Sequence, residues 1–150
     1  MGGAESLYVG LNNLDKFAWI GAFSSAPMLW PAIADAPPPV PAADTPPTTA
    51  TTAAPGGGRG GRGGGAAARL DPALIAKTFP NLDAKANSQI RMLWIVCGTA
   101  DGLITVNRQF KDWLRSKSVK FTEQEVPDMA HVWPLWRQNL ADMLPRLFVK

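Results

Sequence analysis

The sequence predicts an α/β fold, a parallel sheet with covering helices, on three observations. Helix-like and strand-like segments alternate along the chain. Two strand-like segments are nearly continuous apolar runs, as suits strands buried on both faces. The residues best suited to chemistry follow directly on strand ends, where open α/β sheets gather functional groups.

The elements follow in order. Residues 3–13 read GAESLYVGLNN; Leu7 and Leu11 stand four apart, giving one apolar helical face, and Asn12-Asn13 is a stop. Residues 17–25, FAWIGAFSS, form an aromatic-rich run expected as a strand buried on both faces. Residues 35–69 are then mostly Pro, Ala, Thr and Gly. They hold almost nothing to bury against their ordering entropy and are expected as a disordered loop or linker. The chain thus divides into 1–34 and 70–150 around this stretch, which is either an insertion at a surface position of one α/β domain or a hinge between two units.

Order is expected to resume at Leu70. Asp71-Pro72 is a helix start, with Asp71 as N-cap and Pro72 in the first turn, and that helix runs to about Thr78. Residues 91–97, RMLWIVC, give the second buried strand. Residues 103–117 give a helix whose core face carries Val106, Phe110 and Trp113, with Lys111, Asp112, Arg115 and Lys117 off that face. Residues 119–126, VKFTEQEV, alternate as a strand with one partly wet face, as near a sheet edge. Trp136, Leu140, Met143, Leu144 and Leu147 mark a C-terminal helix.

Bulk properties narrow the function classes. The chain has 150 residues and a formal charge of +3, too small to point to nucleic acid or an anionic membrane as partner. No apolar run approaches the roughly 18 residues of a membrane span, and Met1-Gly2-Gly3 does not begin a signal peptide. The single cysteine, Cys97, excludes an internal disulfide. At the end of a buried strand it reads as a small hydrophobe. The compartment stays open, including a secreted or periplasmic one for a longer form of the protein. One His, one Cys, and neither a Walker loop nor a glycine fingerprint after a strand leave no cofactor or metal indicated.

Two strand ends carry candidate chemistry. Cys97-Gly98-Thr99-Ala100-Asp101-Gly102 follows one strand, with Gly98 and Gly102 expected to permit a tight turn that presents Asp101. Asp128-Met129-Ala130-His131 follows the next, and His131 is the only histidine. An acid and a histidine on successive strand ends match the needs of a hydrolase triad, in which the acid fixes the imidazole tautomer and stabilises the imidazolium. Each residue alone also fits a plainer role: Asp101-Gly102 a turn, His131 a helix-start packing residue. The matched placement favours catalysis. No G-x-S-x-G occurs. Ser6 lies inside the first helix, and Ser24 and Ser25 follow a strand without a glycine-flanked turn, so they line a pocket at most.

Met1-Gly2-Gly3 before a helix resembles the tail of a G-x-S-M-G-G nucleophile elbow. Cys97-Gly-Thr-Ala-Asp101-Gly-Leu-Ile resembles a G-x-x-D-x-L acid turn. His131-Val-Trp-Pro-Leu-Trp-Arg-Gln-Asn-Leu140 resembles an H-x-W-P-x-W-R-x-N-L block, the most specific of the three. All belong to the esterase D, feruloyl and acetylxylan esterase-like α/β hydrolases. The resemblance covers residues 1 to about 31 and 70 to 150.

It implies the C-terminal part of an α/β-hydrolase fold and a serine carboxylic-ester hydrolase, with Asp101 as triad acid and His131 as general base. The nucleophile would stand immediately before Met1, and the Met1 amide would donate to the oxyanion. Ala130 stands where the family often has Gly. The residues from Met1 onward are therefore expected to be inactive alone, as a truncated product or a late start. Three strands without the preceding ones are expected to leave an unpaired edge and poor solubility.

The substrate implied is a small-molecule or polysaccharide-linked ester, with Trp133 as tentative binding residue. Trp136 fits core packing at least as well, and nothing local supports a pocket role for Trp30. The alternative is a non-catalytic remnant or interaction module working through its Arg-Gly segment. There Arg59 and Arg62 resemble RNA-binding repeats, although a linker fits that composition better.

Overall fold

The computed structural model describes residues 1–27 and 70–148. The insertion expected over 35–69, with Arg59 and Arg62, lies outside the described residues, as does Trp30. The elements are α1 (Gly2–Asn12), β1 (Trp19–Phe23), α2 (Pro72–Thr78), a 3-10 turn at Ala84–Ser88 and β2 (Met92–Gly98). They continue with α3 (Ile104–Ser116), β3 (Thr122–Val126), α4 (Trp133–Met143) and a last 3-10 turn at Leu144–Arg146. Helices and strands alternate as the sequence predicts. The three strands form one parallel sheet in the order β1-β2-β3, with Trp19 beside Met92 and Trp94 beside Thr122.

Strand alternation explains the layering. Leu93 and Ile95 of the central strand β2 pack with Ile20 and Ala22 of β1 against Leu7 and Leu11 of α1, Ile75 of α2, and Phe110 and Leu114 of α3. The intervening residues, Trp94 and Val96, meet Leu135 and Met143 of α4 on the other face. Helices thus cover both faces of the sheet, the α/β arrangement expected. Each fully buried aliphatic side chain contributes on the order of 1.5–3 kcal/mol.

Local signals hold where their chemistry is short-range. The Asp71 carboxylate accepts a hydrogen bond from the Ala73 amide at 2.9 Å, capping α2. Asn13 ends α1, its amide donating to the Gly10 carbonyl.

Four expectations change. β1 is shorter than 17–25: Phe17 is exposed, and Ser24 turns into left-handed backbone with φ 48°. Ile20 and Ala22 of β1 are buried, whereas Trp19, Gly21 and Phe23, on the strand's other face, are half-buried. β3 begins at Thr122, after a buried Val119.

The third change concerns α3. Lys111, expected off the core face, is 1% exposed. Its Nζ lies 2.7 Å from Glu125 and 2.9 Å from Glu123 on β3. Arg108 also bonds Glu125, at 2.6 Å, and Arg115 bonds Glu123. A lysine stem can lie along apolar surface while its ammonium reaches a carboxylate. The wet face expected on β3 is thus the acidic half of an ion-pair network with α3. Arg108 and Lys111 hold the Glu125 carboxyl down at about 2. Burial pushes the Glu123 carboxyl up, but Lys111 and Arg115 together outweigh it and leave it lowered.

The fourth change is the face of α4. Its buried residues are Leu135, Asn139 and Met143. Leu140 and Leu144 are exposed, and the helix tightens into a 3-10 turn at Leu144. Asn139 sits inside because its amide group donates to the Leu135 carbonyl at 2.9 Å. No described helix is long and apolar enough to cross a membrane.

Candidate active site

The carboxyl ends of β2 and β3 are joined before any side chain is considered. The Thr99 amide donates to the Val126 carbonyl at 2.9 Å, and the Ala100 amide to the Met129 carbonyl at 3.0 Å. The Asp128 amide donates to Thr99 Oγ1 at 2.9 Å, with Asp128 in left-handed backbone at φ 57°. Gly98 lies under this crossing. A Cβ there would come 1.9 Å from the Met129 carbonyl oxygen, so only glycine lets the two loops approach. Gly102, expected to share in the tight turn, has open space around it. Closeness is demanded of Gly98 alone.

This crossing brings together the two residues singled out on the strand ends. Asp101 is 2% exposed. One carboxylate oxygen accepts from the Leu103 amide at 2.9 Å, and the other lies 2.9 Å from His131 Nδ1. The Asp101 backbone carbonyl accepts from the Ile104 amide at 3.0 Å. The acid is therefore fixed by the first turn of α3, with one oxygen left for the histidine. His131 is half-exposed, with 47% of its side chain accessible. Nδ1–H facing a carboxylate leaves Nε2 with its lone pair free to take a proton.

His131 opens onto a cavity of about 730 Å³. Met1, Gly2 and Gly3 line it at the start of α1, Ser24 and Ser25 at the end of β1, and Trp133 and Trp136 on α4. The Met1 carbonyl accepts from the Ala4 and Glu5 amides at 2.9 and 3.2 Å, opening the helix. The positive end of α1 thus faces the same space as His131. Gly3 permits this placement, since a Cβ there would sit 2.8 Å from the Ser25 Cβ and 2.9 Å from the Phe23 carbonyl oxygen.

The structure therefore gathers all four candidates, Asp101, His131, Met1 and Trp133, at one end of the sheet. Trp133 is 65% exposed at the rim. Its ring meets Trp136 edge-to-face, with centroids 6.1 Å apart. Trp136 packs against the Trp94–Leu135 cluster, as its helical spacing predicts, and it also reaches the site: its ring meets the His131 ring edge-to-face at 5.0 Å, and its indole N–H donates to Ser24 Oγ at 3.0 Å. Ser24 and Trp136 lie 112 positions apart in the chain, so local spacing carried no sign of the contact. The proximity of Trp136 to His131 in the H-x-W-P-x-W block was the one available hint.

None of the three serines lining the cavity, Ser6, Ser24 and Ser25, has the setting of a nucleophile. Ser24 Oγ accepts from Trp136, and Ser25 Oγ is buried without a partner. Ser6 is on α1. Cys97 is fully buried, and burial pushes its thiol up to about 12, which suits a packing group. Among the described residues no three His, Cys, Asp or Glu side chains converge to hold a metal ion. No protein-family model matches the sequence.

Proposed function

We propose that the chain is the Asp–His portion of a serine carboxylic-ester hydrolase of the α/β-hydrolase kind. The observation that carries this reading is the 2.9 Å contact between His131 Nδ1 and the buried Asp101 carboxylate, at the mouth of a cavity. A serine immediately before Met1, where the elbow resemblance puts it, would enter that cavity at the positive end of α1. His131 Nε2 would take the serine proton as the hydroxyl attacks the ester carbonyl. Asp101 would hold the ring and stabilise the imidazolium. The amide of residue 1, no longer a terminal amine, would donate to the oxyanion, and His131 would return its proton to the leaving alcohol. Trp133 and Trp136 would supply flat apolar wall to the acyl or alcohol group. The bond broken is the acyl C–O bond, first to form the acyl-serine and then, with water, to release the acid.

The test is hydrolysis of p-nitrophenyl acetate and of a feruloyl ester by residues 1–150 and by the same chain extended upstream through the elbow serine. Only the extended chain is expected to turn over. In it, His131→Ala should lower kcat by about 10³-fold or more. Triad-like turnover by residues 1–150, or an extended chain indifferent to His131→Ala, would overturn the proposal.

A further inference from the structure

We propose that Trp136, tethered by Ser24, is a positioning residue that locks the His131 ring in register with Asp101. An imidazole needs two restraints to hold one orientation. The Asp101 carboxylate supplies one, a single hydrogen bond about which the ring can still rock. The loop carrying His131 supplies little more, for the residue is half-exposed. The second restraint is the Trp136 ring, set at 82° to the imidazole with centroids 5.0 Å apart.

Trp136 is in turn prevented from swinging into the cavity. Its indole N–H donates to Ser24 Oγ at 3.0 Å, and Trp133 meets its ring from the rim. Ser24 is 4% exposed, and its amide continues the sheet ladder by donating to the Val96 carbonyl at 2.7 Å. Its φ of 48° is one that a residue with a Cβ adopts at a cost. A serine kept at such a φ, with its hydroxyl engaged by the indole, is a specific acceptor in a place where glycine would fit more easily. The line of contact runs from the end of β1, through α4, to the ring between β3 and α4. It ties the histidine to the strand on the far side of the cavity.

The tether extends the esterase reading by adding a residue that acts through His131, and it is read out without any ester. In residues 1–150, the His131 Nδ1–H bonded to Asp101 gives a low-field proton NMR signal whose exchange with water reports how firmly the ring is held. Ser24→Gly removes the acceptor while easing the backbone, so its melting temperature should hold or rise. Trp136→Phe keeps an aromatic ring near His131 and removes only the N–H tether and part of the ring surface. Both variants are expected to speed this exchange by about two- to tenfold, the net worth of the one hydrogen bond they remove. In a hydrolysing extended chain Ser24→Gly, which leaves the Trp136 wall in place, should lower kcat by a similar factor and leave KM unchanged. Unchanged exchange in either variant overturns the proposal. So does faster exchange matched in both variants by a fall in melting temperature, since global opening then accounts for it. An extended chain that fails to hydrolyse esters while both variants exchange faster would fault the esterase reading and leave the tether standing.

Discussion

Among the described residues β1 and β3 are the two outer strands of the sheet, and they meet their surroundings with opposite chemistry. β3 presents Glu123 and Glu125, each bound to cations from α3. β1 reads WIGAF, with no charge. Beside it runs a groove of about 470 Å³ lined in part by Val9, Phe17 and Trp19, and Val9 and Phe17 are exposed. Charged edges resist strand-to-strand association, and uncharged apolar ones invite it. The lesson is that β2–α3–β3, which carries Asp101 and His131, is a finished surface, whereas β1 has the composition of an interior strand. The two halves of the candidate site therefore differ in how firmly they are built: the Asp–His half is knitted by backbone bonds, and among the described residues the α1 half rests on one helix packed against β1.

The strongest way to break that comparison is Gly98→Ala. The new Cβ would meet the Met129 carbonyl, a backbone atom that can move only by unpicking the loop crossing. A loss of at least about 3 kcal/mol is expected, read from the urea midpoint. An unshifted midpoint would mean that the finished half is not closed in this way.

A smaller effect separates the edges by pH. The Glu125 carboxyl stands at about 2 rather than 4.5 in the folded chain, and Glu123 is also lowered. Carboxyls depressed by folding stabilise the chain above their unfolded value. That contribution is lost as pH falls from about 4.5 towards about 2. The melting temperature should drop across this window, and Lys111→Met should reduce the drop by removing a cation shared by both carboxylates. An identical acid profile in Lys111→Met would show that the network contributes nothing to the difference between the edges.

The smallest effect on stability is expected for Phe17→Lys, within about 0.5 kcal/mol. Its consequence is association: sedimentation velocity should show less self-assembly than in the parent chain. Thr122→Lys, at the exposed start of β3, should leave assembly as it was. Equal behaviour of the two would remove the contrast between the edges.

What the sequence made legible follows the range of the interactions. Asp71 and Asn13 act on their own helices, so their roles are visible locally. Asp101 and His131 were found because strand ends are where parallel sheets expose functional groups, and the sheet order then brings them together. A helical projection marks the charge of Lys111 as outward, whereas its long stem is buried between α3 and β3 because Glu123 and Glu125 meet its ammonium across the gap. Leu140 and Leu144, apolar at helical spacing, mark the helix in the sequence yet stand exposed on it. The buried face runs through Asn139, a polar residue whose amide N–H bonds its own helix while its Oδ1 has no partner. The Ser24–Trp136 contact joins strand end to helix across most of the sequence, and no local pattern encodes it.

Cys97 gives the molecule a built-in clock. It is the chain's single thiol, fully buried on the central strand and paired in register with Glu125. No reagent can reach its sulfur until β2 is uncovered, and it lies beside Gly98, where the two candidate loops cross. With a thiol reagent fast enough to outpace reclosing, the rate at which that sulfur is labelled is the rate at which β2 opens, read with no residue changed.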